Sequence, residues 1–352
     1  SDLGDLNDDG VPDLILGGPR ASFGSRSQGG MAAVYWGPVA EDRDLDEADV
    51  TIWGPDGNAY LGRNLAVGDV SGDGADDLLV GALDAKYMGT KVGMAAIFEG
   101  PVASEVLDTA VYDDASARIY GTIENDKFGV ELVADGDWTG DGLPDLLVGA
   151  RFANTNMGGL YGFESGVTLS GDVAAADADL LIVGTGNLSR TGESLEVAGD
   201  IDGDGKDDLI VGAPERNLEG TGRGAVYLIL DMLDGEIQDI AFAEIGGLLD
   251  GGNFGQSVAV IGDVDGSGIG IGVGAPGEGK GKVFLFGGGL SGAYTSDDAI
   301  GRVLGADFGG GLGSALLGNI DYDGDGLLDL IVGADGGGLT GGEVAVFLGG
   351  GL

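Results

Sequence analysis

The chain has 352 residues, of which 76 are glycine, and its 60 acidic and 16 basic side chains give a formal net charge of −44. This charge repels the phosphates of nucleic acids and anionic membrane surfaces, so neither is an expected partner. The apolar content of 43% is too high for a disordered chain, and the absence of cysteine and histidine excludes disulfides, thiolate metal sites and the commonest general base.

An aspartate-rich stretch begins near the N-terminus and recurs along the whole chain. Its copies are GDLNDDGVPDLILGGP (4–19), GDVSGDGADDLLVGAL (68–83), GDWTGDGLPDLLVGAR (136–151), GDIDGDGKDDLIVGAP (199–214), GDVDGSGIGIGVGAP (262–276) and NIDYDGDGLLDLIVGAD (319–335). The copies are about 63 residues apart, which is typical of a repeat fold. We expect one domain over 1–352, with units at about 1–60, 61–127, 128–190, 191–253, 254–311 and 312–352.

Each unit contains the same predicted elements in the same order. A first strand such as 254–263 alternates apolar and small residues, and the aspartate loop follows it. A continuous apolar second strand then ends at Gly-Ala or a variant of it. Third strands are predicted at 29–37, 92–100, 158–165, 224–230, 281–288 and 342–350, and more polar fourth strands at 48–54, 117–121 and 241–247. No segment has a convincing helical period.

Four-stranded units of this length predict an all-β fold, a β-propeller built from four-stranded blades. A stacked β-helix is the competing architecture, but its repeat is far shorter. The sequence leaves the ring at six or seven blades. Twenty-two strands are visible where six complete blades need 24, so closure requires strands from residues outside this sequence or from another chain.

The aspartate loop has the composition of a metal site. In residues 200–208, carboxylates occupy positions 1, 3, 5 and 9 of a glycine-containing turn. Alternate side chains of such a turn converge, and the carbonyl of position 7 joins them. Ca²⁺ takes about 6 to 8 oxygen ligands in flexible loops and suits this set better than Mg²⁺ or a transition metal. The pattern predicts calcium loops between the first and second strands of the blades.

Five loops keep the ligand positions, so about five Ca²⁺ sites are expected. The predicted ligands are Asp5, Asn7, Asp9, Val11 and Asp13; Asp69, Ser71, Asp73, Ala75 and Asp77; Asp137, Thr139, Asp141, Leu143 and Asp145; Asp200, Asp202, Asp204, Lys206 and Asp208; and Asp321, Asp323, Asp325, Leu327 and Asp329. The loop at Asp263 is shorter, has Ser267 at position 5 and offers Ile271 at position 9, so we expect it to be empty or weak.

Two other interpretations explain the loop less well. An EF-hand needs a glutamate at position 12, where these loops have Leu16, Val80, Val148, Val211 or Val332 inside a strand. Simple Asp-Gly hairpin turns would explain one copy, but five copies that keep the ligand positions while the residues between them vary favour the metal site.

With these loops, the pairs Phe128-Gly129 and Phe254-Gly255 and the triplets Gly212-Ala213-Pro214 and Gly274-Ala275-Pro276 resemble the FG-GAP repeats of integrin alpha chains and related bacterial or archaeal surface proteins. Leu61-Gly62, Thr191-Gly192 and Leu312-Gly313 are variants of the FG pair. The resemblance implies a propeller, usually seven-bladed, with calcium on one face and a role outside the cell in adhesion or ligand recognition. The sequence shows no inserted ligand-binding domain with its own metal site, so the resemblance does not imply integrin function itself.

Three functions are open at this stage. The first is a secreted or cell-surface module that binds an extracellular protein or glycan. The second is a structural subunit of an extracellular fibre or coat, with strands shared between self-associating chains. The third is a non-catalytic or lectin-like domain of a larger secreted enzyme, beside other domains of a longer chain. No apolar run approaches the roughly 18 residues of a membrane span, so direct membrane insertion is not expected.

We expect no catalytic activity, because no pair of candidate acids outside the loops stands apart from a solvated surface. Glu193 and Glu196 are expected to be exposed. Aromatic residues are candidate ligand contacts, although packing between blades is the simpler expectation for each of them. They are Tyr35, Trp36, Trp53, Tyr60, Tyr87 and Trp138.

Overall fold

The computed structural model describes residues 2–39, 42–102, 114–166, 169–217, 221–305, 310–336 and 342–349. These residues form an all-β structure with only one-turn helices, at Leu45–Glu47, Ala153–Asn156, Ala175–Asp177, Ile237–Ile240 and Ser296–Asp298. Among the described residues, none of the helices has the length and apolar character needed to cross a membrane. The chain divides into two compact units, one of Ser1–Ala153 with Leu160–Leu181 and one of Asn154–Gly159 with Ile182–Leu352.

The first unit contains two complete sheets and the start of a third. Its strands are β1 (Asp2–Gly4), β2 (Asp13–Gly17), β3 (Met31–Tyr35), β4 (Val50–Trp53), β5 (Leu61–Gly68), β6 (Asp77–Ala82), β7 (Lys86–Tyr87), β8 (Thr90–Lys91), β9 (Met94–Phe98), β10 (Ala117–Tyr120), β11 (Phe128–Gly136), β12 (Asp145–Ala150), β13 (Gly159–Phe163) and β14 (Gly171–Ala174). The sheet orders are β1-β2-β3-β4 and β14-β10-β9-β6-β5, and β7 and β8 form a separate hairpin. The third sheet begins with the antiparallel strands β11, β12 and β13.

The second unit contains three further sheets. The boundary between the units falls within β15, and the strands from there on are β15 (Leu180–Val183), β16 (Ser194–Gly199), β17 (Asp208–Ala213), β18 (Ala225–Ile229), β19 (Gly235–Glu236), β20 (Ala243–Gly246), β21 (Val258–Gly262), β22 (Gly270–Ala275), β23 (Lys282–Phe286), β24 (Gly292–Thr295), β25 (Gly301–Leu304), β26 (Leu312–Ile320), β27 (Asp329–Ala334) and β28 (Glu343–Phe347). The sheet orders are β16-β17-β18-β20-β24, β21-β22-β23-β25 and β26-β27-β28.

In four of the sheets the second strand is buried along its whole length. All six residues are buried in each of β6, β12, β17 and β22. Their side chains join hydrophobic clusters with both neighbouring strands, such as Val80 with Met94 and Ile210 with Val226. Burying one such aliphatic side chain contributes about 1.5 to 3 kcal/mol. The continuous apolar runs of the sequence therefore become the central strands, packed on both faces.

The glycines of the repeat motifs allow two backbones to touch. Gly255 has a φ of +86°. A Cβ atom added to Gly212 would lie only 2.2 Å from the carbonyl oxygen of Gly255. The preceding Phe254 forms a parallel bridge with Gly224, at the start of the third strand of the previous repeat. A side chain at Gly212 would force these backbones apart, which is the physical reason for glycine in both motifs.

The predicted fold is confirmed: the chain is all-β, and its six sheets are blades of the β-propeller type with the first, second and third strands where the sequence predicts them. Besides the β7–β8 hairpin, the structure adds one class of strand that the sequence did not predict. Short strands β14, β19 and β24 pair in parallel with β10, β15 and β20, so these blades have an extra outer strand.

Candidate metal-binding loops

The aspartate loops lie between the first and second strands of the sheets, from the loop between β1 and β2 to the loop between β26 and β27. In every loop the first aspartate shapes the turn by accepting backbone N–H groups. In the fourth loop, Gly203 and Asp204 donate to Oδ1 of Asp200 at 2.6 and 3.0 Å, and Gly205 donates to Oδ2 at 3.0 Å. Asp5, Asp69, Asp137, Asp263 and Asp321 accept equivalent bonds. The aspartate at position 1 therefore stabilises the turn of each hairpin through backbone hydrogen bonds.

In two loops the structure brings three predicted carboxylates together. One oxygen from each of Asp200, Asp202 and Asp204 lies within 4.8 Å of the others, and the three side chains are exposed. The same holds for Asp321, Asp323 and Asp325. Three like charges at this separation repel one another, and a divalent cation among them reverses the sign of the interaction.

The first three loops place a neutral oxygen at position 3. In the first loop, Asn7 Oδ1 accepts the N–H of Asp9 at 3.0 Å, as Asp202 does for Asp204. In the second and third loops, the hydroxyls of Ser71 and Thr139 contact the position 1 carboxylate at 3.4 and 3.3 Å. These loops carry less negative charge at the point of convergence.

The residues at position 7 also have a clear place in the turn. The N–H of Lys206 donates to Asp204 Oδ1 at 2.9 Å, and Val11, Ala75, Leu143 and Leu327 make the equivalent bond at 2.9 Å. The position 5 carboxylate therefore holds the residue whose carbonyl we predicted as a ligand.

Position 9 is buried and connects the loop to the rest of its sheet. Asp13, Asp77, Asp145, Asp208 and Asp329 are at most 1% exposed. Each accepts a backbone N–H from the start of its loop, as Asp208 does from Ile201 at 2.6 Å. Four of them accept a second N–H from beyond the third strand, donated by Gly37, Gly100, Ser165 or Gly349. The sequence predicted a ligand here but not this structural role.

Asp208 differs from the other four because its Oδ1 is buried without a hydrogen-bond partner. Burial, together with the nearby charges of Asp202 and Asp200, raises the pKa of Asp208 to about 6. Burial also raises the pKa values of Asp13, Asp77 and Asp145. A buried carboxylate oxygen without a partner is costly unless a ligand or cation completes it. The fourth loop therefore fits a bound cation.

The fifth loop corrects one prediction. Gly262 pairs with Gly270 in the way that Gly199 pairs with Asp208, so Gly270, and not Ile271, occupies position 9. The shorter loop shifts the register by one residue, which spacing alone did not reveal. Asp263 still accepts the N–H of Gly266 at 2.6 Å, and Asp265 Oδ1 accepts the N–H of Ser267 at 3.0 Å. This loop keeps the turn but has neither the position 5 nor the position 9 carboxylate.

The expected exposure of Glu193 is wrong, and the expected packing of the aromatic residues is met only in part. Glu193 is buried and not exposed, because it lies beside the Thr191-Gly192 variant of the FG pair, where Gln256 Nε2 reaches its Oε1 at 3.5 Å. The candidate aromatic residues differ in burial, and Trp36 and Trp53 are partly buried against hydrophobic clusters. Tyr35 and Trp138 are buried, and the Tyr87 ring lies 4.7 Å from that of Tyr120.

A family model described as FG-GAP repeat matches residues 191–229, which contain the fourth loop and its Gly-Ala-Pro. Integrin alpha pat-2 of Caenorhabditis elegans is 29% identical over 221 residues, which cover 60% of this chain and 17% of that protein. Integrin alpha-4 of Xenopus laevis is 34% identical over 242 residues, covering 62% of this chain and 23% of that protein. Human phosphatidylinositol-glycan-specific phospholipase D is 28% identical over 228 residues, which cover 60% of this chain and 26% of that protein.

The chain thus spans about a quarter or less of the length of these relatives. The solved structure of the exotype rhamnogalacturonan lyase YesX covers 99% of this chain and 55% of its own, at 15% identity and a TM-score of 0.43, which is too low to support an argument. The sequence matches agree with the motifs and with the blade architecture. Residues 191–229 therefore match an FG-GAP repeat, and the chain resembles integrin alpha chains.

Proposed function

We propose that this chain is a calcium-stabilised β-propeller module that serves adhesion or ligand recognition outside the cell. The observation that carries the proposal is the fourth loop, which brings three exposed carboxylates within 4.8 Å of one another and also contains a buried carboxylate with an unpartnered oxygen. Hard oxygen donors on a short flexible loop are the ligand set of Ca²⁺.

In each of the five loops, the side chains of positions 1, 3, 5 and 9 and the carbonyl of position 7 would hold the ion. Full carboxylate or amide sets support the tightest binding at Asp5, Asp200 and Asp321. The hydroxyls of Ser71 and Thr139 support weaker sites, since fewer charges face the ion. The ion would neutralise part of the −44 charge, which otherwise opposes the compact state.

The ion would also act as a brace within each sheet. Position 9 is already hydrogen-bonded to the backbone beyond the third strand in four loops, as Asp145 is to Ser165 at 2.9 Å. A cation held by positions 1 to 9 would therefore connect the first, second and third strands through one carboxylate. Calcium binding of this kind stabilises the folded state by mass action.

The extracellular assignment rests on calcium and on the relatives. Millimolar calcium, as found outside cells, fills even weak sites. The similarity to integrin alpha chains supports a recognition module that binds a protein or a glycan. The similarity to a phosphatidylinositol-glycan-specific phospholipase D favours a second candidate, a domain of a larger secreted enzyme. For both candidates we propose that the loops stabilise the folded state and have no catalytic role.

A calcium titration tests the proposal. We expect the melting temperature to rise with calcium, to rise less with magnesium, and to fall when a chelator is added at low ionic strength. Isothermal titration should count about five sites, with those at Asp69 and Asp137 the weakest. A melting temperature that is indifferent to chelator would refute the metal assignment. A glycan and matrix-protein array on the calcium-loaded chain then tests recognition separately.

A further inference from the structure

The first and second aspartate loops are joined by a side chain that is not one of the predicted ligands. Asp76 Oδ2 accepts the backbone N–H of Asp5 at 2.9 Å. Asp5 is position 1 of the first loop, and Asp76 is position 8 of the second. The neighbours of Asp76 in the chain are Ala75 and Asp77, the predicted ligands at positions 7 and 9. The second loop therefore holds the main chain of a ligand residue of the first loop.

The contact between Asp76 and the first loop is close and has a fixed geometry. Gly4, the residue before Asp5, pairs with Asp13 at the end of β1. A Cβ atom added to Gly4 would lie 3.2 Å from Asp76 Oδ2, and the Asp76 side chain is partly buried. Hydrogen bonds to an ionised acceptor are stronger than bonds between neutral groups. Asp76 thus restricts where the first loop can begin.

A second connection joins the position 9 carboxylates of the same two loops. Leu6, which is fully buried, donates its N–H to Asp13 Oδ2 at 2.9 Å and accepts the N–H of Val102 at 2.7 Å. Gly100, two residues before Val102, donates its N–H to Asp77 Oδ1 at 2.9 Å. Both position 9 carboxylates therefore connect to residues 100–102, one directly and one through Leu6.

Position 8 reaches the same place in another pair of loops but offers no acceptor there. In the sixth loop this residue is Leu328. Its Cβ lies 3.3 Å from a Cβ atom added to Gly262, the residue that precedes the fifth loop as Gly4 precedes the first. A leucine side chain cannot accept an N–H, so the contact between these two loops is apolar.

The third loop also touches the second without this hydrogen bond. Its position 8 is Pro144, which has no side-chain acceptor. The neighbouring Leu143 supplies the contact, since its Cδ1 lies 3.2 Å from a Cβ atom added to Gly72 of the second loop. The second loop thus has one neighbour that it holds through a carboxylate and another that it meets through a methyl group.

We propose that Asp76 couples calcium binding in the first loop to calcium binding in the second. An ion in the first loop fixes Asp5, and the N–H of Asp5 then fixes Asp76 together with the ligands on either side of it. The second ion therefore loses less conformational entropy when it binds. The coupling is reciprocal by thermodynamic linkage. Asp76 is a positioning residue, and this inference rests on the calcium sites of the proposed function.

The coupling compensates for a weak ligand set in the second loop. The first loop has an amide and three carboxylates and fills first, whereas the second has Ser71 at position 3. The third loop has the equivalent set, with Thr139 at position 3, but has Pro144 at position 8. The second loop should therefore fill at a lower calcium concentration than the third.

Amide signals in an NMR titration of the full chain with calcium chloride read the three loops separately. The reporters are the glycines at position 6, each of which donates its N–H to the position 1 carboxylate of its own loop. They are Gly10 at 2.7 Å from Asp5 Oδ2, Gly74 at 2.9 Å from Asp69 Oδ2 and Gly142 at 2.8 Å from Asp137 Oδ2. We expect the calcium midpoint of Gly74 to lie below that of Gly142.

Disabling the first loop should weaken the second. Asp9→Lys places a cation at position 5 and excludes Ca²⁺ from the first loop, so the Gly74 midpoint should rise about fivefold. Asp141→Lys, the matched change in the third loop, should leave the Gly74 midpoint unchanged. Asp76→Ala alone should raise this midpoint by a similar factor, and adding Asp9→Lys should raise it no further. Asp76→Asn keeps an acceptor oxygen and should retain the dependence on Asp9.

The possible outcomes separate this inference from the proposed function. Gly10 and Gly74 signals that do not move with calcium would refute the calcium sites of both loops, and the coupling with them. Signals that move, with the same Gly74 midpoint in Asp9→Lys as in the wild type, would leave calcium binding intact and overturn the coupling. A dependence on Asp9 that persists in Asp76→Ala would overturn the role of Asp76. Thermal melting in chelator should show that each variant is folded.

Discussion

The fourth and fifth aspartate loops begin with the same turn and differ in length and in side chains. In both, the first aspartate accepts the N–H of the residue three positions on at 2.6 Å. The fourth loop then has Asp204 and Asp208 where the fifth has Ser267 and Gly270. Because the fifth hairpin forms without these two carboxylates, the turn does not require them. The repulsion at Asp204 and the burial of Asp208 call for a different explanation, which the cation that we propose would provide.

The largest effect should come from making the fourth loop resemble the fifth. The double variant Asp204→Asn, Asp208→Asn keeps the size of both side chains but removes two charges. We expect the stabilisation by calcium to shrink by about 3 kcal/mol, the value for one site at a hundredfold excess over its Kd. In chelator the variant should be more stable than the wild type, because the buried charge of Asp208 is gone. Urea unfolding with and without calcium measures both differences.

Ser267→Ala in the fifth loop is the control for that variant and should leave the calcium-dependent stabilisation unchanged. If the double variant responds to calcium as the wild type does, the fourth loop is not a calcium site.

A second prediction contrasts Asp208 with a buried carboxylate outside the loops. Burial raises the pKa of Asp126 from 3.8 to about 6, against the hydrogen bonds donated by the N–H groups of Ile123 and Phe128. Since the pKa is raised in the folded state, the contribution of Asp126 to stability is fully present below about pH 4 and is lost as pH rises through 6. The full difference is about 3 kcal/mol.

Asp126→Asn keeps an acceptor oxygen and removes the charge, so at pH 7 we expect it to stabilise the chain by about 2 kcal/mol, less than the full difference because a buried NH₂ must find a partner. Unfolding free energies of both proteins at pH 4 and pH 7 give the result, and the difference should be the same in calcium and in chelator. A gain in unfolding free energy that appears only in chelator would indicate that Asp126 belongs to a metal site.

Much of this fold was predictable, because repeats, apolar runs and loop spacing are local features of the sequence. The second strands, the turns and the positions of the aspartates are where the patterns place them. The strands β14, β19 and β24 were missed for a physical reason: segments such as Gly171–Ala174 are short and polar, and become strands only because a neighbouring edge supplies their hydrogen bonds.

The site was predictable in composition but not in all its roles. Spacing identifies which oxygens converge, yet it does not show that Asp145 also accepts an N–H from Ser165, 20 residues away. Nor does spacing give the register of a shortened loop, where Gly270 replaces the expected Ile271. Both features depend on pairing between strands, which no local pattern encodes.

The smallest predicted effect separates turn formation from metal binding. Asp263→Ala removes the acceptor of the Gly266 N–H in the fifth loop and should cost about 1 kcal/mol, equally in calcium and in chelator. Asp200→Ala removes the same acceptor in the fourth loop and should cost a similar amount in chelator but clearly more in calcium, because a ligand is lost as well. Melting temperatures of the two variants under both conditions give four values. If the two substitutions cost the same in calcium, the aspartates shape hairpins in both loops and bind an ion in neither.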